Sequence, residues 1–123
     1  MCGFLIHQRD HTGVNGMQAI QEMSYRGLRT KYRGYKTWKE YDMLHTALPM
    51  VDPDPDVSIQ PIQYDDEPPS LFVGEIFNYK DFGDYPSDAH MIHSKYREEL
   101  NHEFFHKFDG FWSYVTFFND API

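Results

Sequence analysis

The chain's only cysteine is its second residue, and Gly3 and the apolar run Phe4-Leu5-Ile6 follow it directly. One cysteine excludes an internal disulfide framework, so the fold has to be held by an apolar core. The same stretch says where that core begins. Gly3 and the residues after it suit a strand buried from its start, with no side chain beside the Cys2 sulfur. The position also makes chemistry available: once Met1 is removed, Cys2 carries a thiol and a free α-amino group. An amine of pKa about 7.7–8.0 is a usable base at physiological pH. The thiolate is the attacking species, so one residue would hold nucleophile and proton acceptor together. Without that processing, Cys2 reads as a small buried hydrophobe.

With 123 residues, 41% of them apolar and 17% aromatic, the chain reads as one globular domain large enough to bury a core. A formal net charge of −8, with 11 Lys and Arg together, argues against a phosphate-backbone binder, which needs clustered cations. Nucleic acid is not an expected partner. No apolar run reaches membrane-spanning length, and residues 1–8 are neither basic nor long enough for a secretory signal. No membrane association is expected, and a cytoplasmic location, whose reducing conditions suit a free thiol, is the expectation.

Along the chain, residues 8–16 are a polar connector. Met17, Ile20, Met23 and Gly27 then fall three and four apart, which with Asn15 as N-cap and Gly27 as stop predicts a helix over 16–26. Residues 28–40 carry the densest run of cations without a clean period; they read as a solvated loop or edge hairpin, or as a site for an anionic group. A strand is expected over 41–51, at an edge or bulge because Pro49 cannot donate to a ladder. The Asp-Pro alternation of 52–56 makes a rigid turn without the glycine-bend spacing of a calcium loop.

A short strand over 59–64, a turn over 65–70 and a buried strand over 70–78 follow. Gly74 interrupts the last of these, marking a bulge or a backbone approached closely, and is a site candidate. Ser87 caps a helix with Asp88 in its first turn and Ile92, Tyr96 and Leu100 on one face. Asn101 caps a second short helix whose Phe104 and Phe108 face inward before Gly110 ends it. Residues 111–119 read as a strand with aromatics on both faces, as a strand covered on both sides would be.

Several short motifs in this order resemble the class II glutamine amidotransferases, in particular the glutaminase domain of asparagine synthetase. Met1-Cys2-Gly3 before an apolar strand resembles that family's start, and Tyr25-Arg26-Gly27 its Arg-Gly turn after the first helix. Val51-Asp52 and Gln60-Pro61-Ile62 resemble its Ile-Val-Asp and Gln-Pro pair, and Gly74-Glu75-Ile76-Phe77-Asn78-Tyr79 its Asn-Gly-Glu-Ile-Tyr-Asn core. Ser87-Asp88 resembles its Ser-Asp pair, and Phe108-Asp109-Gly110-Phe111-Trp112 its Gly-Met-Phe-Ala-Phe strand. The resemblance runs from Met1 to about Asp120. It implies an α+β fold of the N-terminal-nucleophile hydrolase type, a partial sandwich of two antiparallel sheets between helix layers. It implies that Cys2 attacks the side-chain amide of glutamine and releases ammonia, without a cofactor or metal. The catalytic positions are then Cys2 and Gly74, and the substrate-binding ones Ala47, Leu48, Val51, Val73, Gly74, Glu75 and Asp88.

Carried over position by position, the family's roles meet three departures. The arginine that grips the glutamine carboxylate through a matched fork is replaced by Ala47, with Thr46 beside it. The asparagine that pairs with a glycine N–H in the oxyanion hole is replaced by Val73, leaving Gly74 as the remaining donor; Asp88 keeps the aspartate that holds the substrate's α-amino group. The chain stops at Ile123, where the family glutaminase continues with further strands, and carries no synthetase domain. The expected partners are therefore glutamine or a similar small amide, together with an ammonia-accepting synthetase chain or a second copy pairing at an open sheet edge. A second reading is a non-catalytic binding or regulatory module that kept the fold. A third, unrelated signal is His102-Glu103-Phe104-Phe105-His106, the His-Glu-x-x-His spacing of zinc hydrolases. No His, Glu or Cys follows His106 to complete such a site. The remaining histidines, among them His45 and His93, read as surface or packing residues.

Overall fold

The computed structural model describes residues 3–9, 33–46, 60–99 and 103–123. The expected helix over 16–26, the Asp-Pro turn over 52–56, Leu100 and Asn101 lie outside them. The described residues form an α+β fold of antiparallel sheets and one α-helix.

The apolar run after Cys2 becomes β1 (Gly3–Gln8), half-buried rather than buried from its start, which pairs with β3 (Tyr41–Thr46); β3 pairs on its other side with β2 (Arg33–Trp38), giving the order β1-β3-β2. Residues 33–40 are thus the edge hairpin that their lack of period allowed, turning at Lys39 with φ +53°. The edge position expected for the strand at 41–51 is not observed. It is the central strand over its described residues, Tyr41–Thr46, with residues 42–46 buried; Pro49 lies outside the described residues. Arg9 ties the far end of β1 to the hairpin: its amide donates to the Glu40 carbonyl at 2.7 Å and its guanidinium donates to the Lys39 carbonyl.

The strand expected over 59–64 shrinks to one antiparallel bridge, Ile62 with Ser70. Pro61 has no N–H to donate, and the buried Gln60 side chain takes over the role of a strand neighbour, its Oε1 accepting the Phe72 N–H at 2.6 Å. After a turn at residues 65–67, β4 (Leu71–Ile76) pairs with β5 (Gly110–Val115). Between them come a 3-10 turn at Tyr79–Phe82, α1 (Asp88–Glu99) and a second 3-10 turn at Glu103–Lys107. Ser87 caps α1 as its sequence requires: its carbonyl accepts the Met91 N–H at 3.0 Å and its Oγ the His90 N–H at 3.3 Å. The second expected helix forms as 3-10 rather than α, and Phe104 and Phe108 are buried as its pattern demanded.

Alternation along β4 and β5 divides their residues between two surroundings. Phe72 and Ile76, with Trp112 and Tyr114 from β5, pack on Ala89, Ile92, Phe104 and Phe108. A fully buried side chain of this size contributes about 1.5–3 kcal/mol. On the opposite face Leu71 joins Met43 and Phe117, with Phe4, Ile6, Trp38 and Tyr41 against them. β4 therefore lies between α1 and the three-stranded sheet.

Two-sided cover was expected for 111–119 and is found only in part: Phe117 is buried against Leu71 and Met43, but the face that carries Phe111 is open along β5. Phe111 is 65% exposed, and it meets Phe77, itself 61% exposed, edge to face. Among the described residues, the side chains of β5 that pack on the core are those of Trp112 and Tyr114. The strand also breaks at Thr116: β6 (Phe117–Phe118) pairs with β7 (Ala121–Pro122), and Thr116 and Ile123 exchange both backbone hydrogen bonds. Residues 116–123 thus form a hairpin in place of the open strand end expected at Asn119. No helix among the described residues is long and apolar enough to cross a membrane.

Candidate functional site

Cys2, Ala47, Leu48 and Val51 lie outside the described residues, so the site is built from their chain neighbours and from β4 and α1. Register places Gly3, next in the chain to Cys2, opposite Thr46, next in the chain to Ala47. Thr46 is buried, and its hydroxyl donates to the Gly3 carbonyl at 3.5 Å. On the other flank of β3 the backbone of Arg33 stands opposite the same Thr46. Gly3, Thr46 and Arg33 therefore form one row across the sheet, the last one among the described residues. β4 packs against β1.

Gly74 is exposed, at φ +131°, in the region that glycine adopts freely and L-residues avoid. A Cβ there would lie 2.2 Å from the Phe111 carbonyl oxygen and 2.5 Å from the Trp112 Cα. The close approach inferred from the sequence is thus made by the backbone of β5. Gly110 repeats the arrangement from the other strand: at φ +153°, its Cβ would meet the Glu75 carbonyl at 2.0 Å. Val73 alternates to the face opposite Gly74, half-buried and paired with Ser113. It brings no hydrogen-bonding side chain to the strand.

Asp88 is the first residue of α1, and its carboxylate joins helix to strand. Oδ2 accepts the Ile76 N–H and Oδ1 the Ala89 N–H, both at 2.9 Å. Burial raises its pKa. The hydrogen bonds from Ile76 and Ala89 pull it back down, and the nearby Glu75 charge adds to the rise. Each carboxylate oxygen can accept more than one hydrogen bond, so capacity for a ligand remains, and two carboxylates close together favour an ammonium group over an anion.

Other residues that order this region carried little signal in the sequence. Asn78 closes the end of the β4–β5 pair, its Oδ1 accepting the Asp109 N–H at 2.8 Å and its Nδ2 donating to the Lys107 carbonyl at 2.9 Å. Gln60 was legible only as half of a Gln-Pro pair. His45 and His93 are packing residues as expected, but wholly buried ones. Burial pushes His45 down to about 4, offset in part by a hydrogen bond to the Phe72 backbone. Burial, then the charges of Arg97 and His90, pushes His93 down to about 3. Ser70 Oγ and His93 Nδ1 are 2.5 Å apart. The Arg97 guanidinium reaches His93 Nε2, the Pro68 carbonyl, the Thr116 hydroxyl and the Glu67 carboxylate.

Of the zinc-hydrolase spacing, His102 lies outside the described residues. Glu103 and His106 are exposed on a 3-10 turn, where a four-residue spacing does not return to one face. Among the described residues no three His, Cys, Asp or Glu side chains are grouped to hold a metal ion. No protein-family model matches the chain, and no curated protein matches it.

Proposed function

We propose that the chain is a glutamine amidotransferase type 2-like domain of the N-terminal-nucleophile class, which hydrolyses the glutamine side-chain amide to glutamate and ammonia at a reduced rate. The observation that carries this reading is the pairing of β1 with β3 next to Cys2 and Ala47. Gly3 lies opposite Thr46, so the chain neighbours of Cys2 and Ala47 are paired, and β4, the strand that carries Gly74, packs on β1. In this reading the Cys2 thiolate attacks the amide carbon, its proton having passed to the α-amino group. The Gly74 N–H faces the developing oxyanion. Collapse of the adduct expels ammonia, which takes that proton. Water activated by the freed amine then cleaves the thioester to glutamate. Asp88, with Glu75 beside it, holds the substrate ammonium.

The non-catalytic binding module is the second reading, favoured by two observations. Both Asp88 oxygens are already engaged by backbone N–H groups, and Gly74 is required by the approach of β5 whether or not a substrate is present. The readings separate on treatment with a glutamine analogue that carries an electrophilic ketone in place of the amide. The amidotransferase reading expects one adduct by intact mass, on Cys2 of molecules that lack Met1, and none on Cys2→Ala. Retained Met1 on most molecules, or an unmodified Cys2, refutes it.

A further inference from the structure

β5 pairs with β4 on one side, and among the described residues nothing pairs with it on the other. The backbone shows which groups that leaves over. Phe77 donates its N–H to the Asp109 carbonyl at 2.7 Å, just beyond the paired strands. In an antiparallel ladder hydrogen-bonded pairs alternate with non-bonded ones, so the bonded pairs here are Glu75 with Phe111, Val73 with Ser113 and Leu71 with Val115. The N–H and C=O groups of Gly110, Trp112 and Tyr114 therefore point away from β4. The outer edge of β4 is capped, since Gln60 Oε1 accepts the Phe72 N–H and Asp88 Oδ2 the Ile76 N–H. Among the described residues no such cap serves β5. An uncapped row of this kind is a template for another strand, and it is this edge of β5, not a strand end at Asn119, that is open.

The make-up of β5 favours a second copy as that strand. Edges are ordinarily guarded by charge or proline, and Gly110-Phe111-Trp112-Ser113-Tyr114-Val115 has neither. A twofold contact between copies is self-complementary and sets each charge in it near its own image. On a chain of net charge −8 an uncharged edge is where two copies meet without that repulsion. Side-chain size then selects the register. With Trp112 on a twofold axis, Phe111 lies opposite Ser113 of the second copy on the open face, and Tyr114 opposite Gly110 of the second copy on the face toward α1. Phe111 and Ser113 are both exposed, and both rings, Phe111 and Tyr114, meet a residue small enough to leave them room. A slip of two residues sets Phe111 on its own image in one direction and Trp112 on Tyr114 in the other. Phe77, 61% exposed beside Phe111, extends the apolar strip.

We propose that two copies of this chain join edge to edge through β5, antiparallel about Trp112, into one continuous sheet of order β4-β5-β5-β4. The contact is independent of glutamine chemistry at Cys2. One strand edge is a small interface, so the dimer dissociates on dilution. The test combines sedimentation velocity of the full chain over a concentration series with amide hydrogen exchange by NMR. Association is expected to protect the Trp112 and Tyr114 amides and to leave the Ser113 amide, already bonded to β4, as it was. Two double variants, Phe111→Lys with Ser113→Lys and Phe111→Glu with Ser113→Glu, each set like charges opposite one another across the axis. Each variant alone is expected to associate at least about tenfold more weakly than the wild type, and an equimolar mixture of the two more tightly than either. The exchange measurement uses the wild type and so stands whether or not the variants fold. The proposal is overturned if the wild type is monomeric up to about 1 mM, or if the mixture associates no more tightly than its components. It is equally overturned if the Trp112 and Tyr114 amides are already protected in the dilute monomer, which puts another segment of the same chain on this edge.

Discussion

Lowering the pH from about 7.5 to 5 should destabilise this chain far more than its net charge would require, because His45 and His93 are folded as neutral rings. Both are buried, at 2% and 0% exposure, and their pKa values are held at about 4 and about 3. In the unfolded chain each would titrate near 6.5. Unfolding therefore takes up two protons between these values, and the contribution is fully present above 6.5 and lost as pH falls toward the folded values. Each proton costs about 1.36 kcal/mol per pH unit, so the slope approaches about 2.7 kcal/mol per unit. The loss reaches about 4 kcal/mol by pH 5, set against a typical total of about 5–15 kcal/mol. Asp88 acts in the opposite sense. Its folded pKa is raised, so its contribution favours the fold below the ordinary carboxylate value and is lost as pH rises through the raised one; it blunts the slope only at the acid end. The assay is urea unfolding followed by the fluorescence of Trp38 and Trp112 at a series of pH values. His93→Gln removes one titrating ring while keeping a hydrogen-bonding group near Ser70, and should halve the slope to about 1.4 kcal/mol per unit. An unfolding midpoint that stays flat from pH 7 to 5, or a slope that His93→Gln leaves unchanged, would refute the reasoning.

Gly74→Ala should lower stability by about 2–4 kcal/mol, combining positive-φ strain with the displacement of β5 that a Cβ at 2.2 Å from the Phe111 carbonyl demands; a thermal midpoint within a degree or two of wild type would show that β5 moves freely. Gln60→Leu leaves the buried Phe72 N–H without its acceptor and should cost about 1–3 kcal/mol, with faster exchange of that amide as the direct readout. On the proposed amidotransferase reading, unassisted glutaminase activity should be about 10³ to 10⁵ below that of a complete site, since Val73 and Ala47 would leave one oxyanion donor and one carboxylate contact missing. The double change Ala47→Arg with Val73→Asn should raise glutamate release, and its silence would favour the binding-module reading.

Local chemistry was readable wherever it acts within a few residues. The strand after Cys2, the Ser87 cap with Asp88 behind it, the turn after Tyr64 and the inward Phe104 and Phe108 all depend on neighbours at fixed short spacing, and the sequence by itself determined them. It also singled out Gly74, because a glycine within an apolar strand gives up side-chain packing and so marks a bulge or a close backbone approach. Partners distant in the chain were decided only by tertiary structure. β3 became a central strand because β1 and β2, from either side of the 10–32 stretch, both pair with it. Gln60 replaced a strand neighbour because Phe72 was brought beside it. One face of β5 stayed open although both carry aromatics, since an aromatic pattern records what a strand could bury and not what is present to cover it. The same limit holds at the site. That Asp88 is a joint between β4 and α1, and that Gly74 answers to the Phe111 carbonyl, follow from contacts 12 and 37 positions apart, which no local pattern encodes.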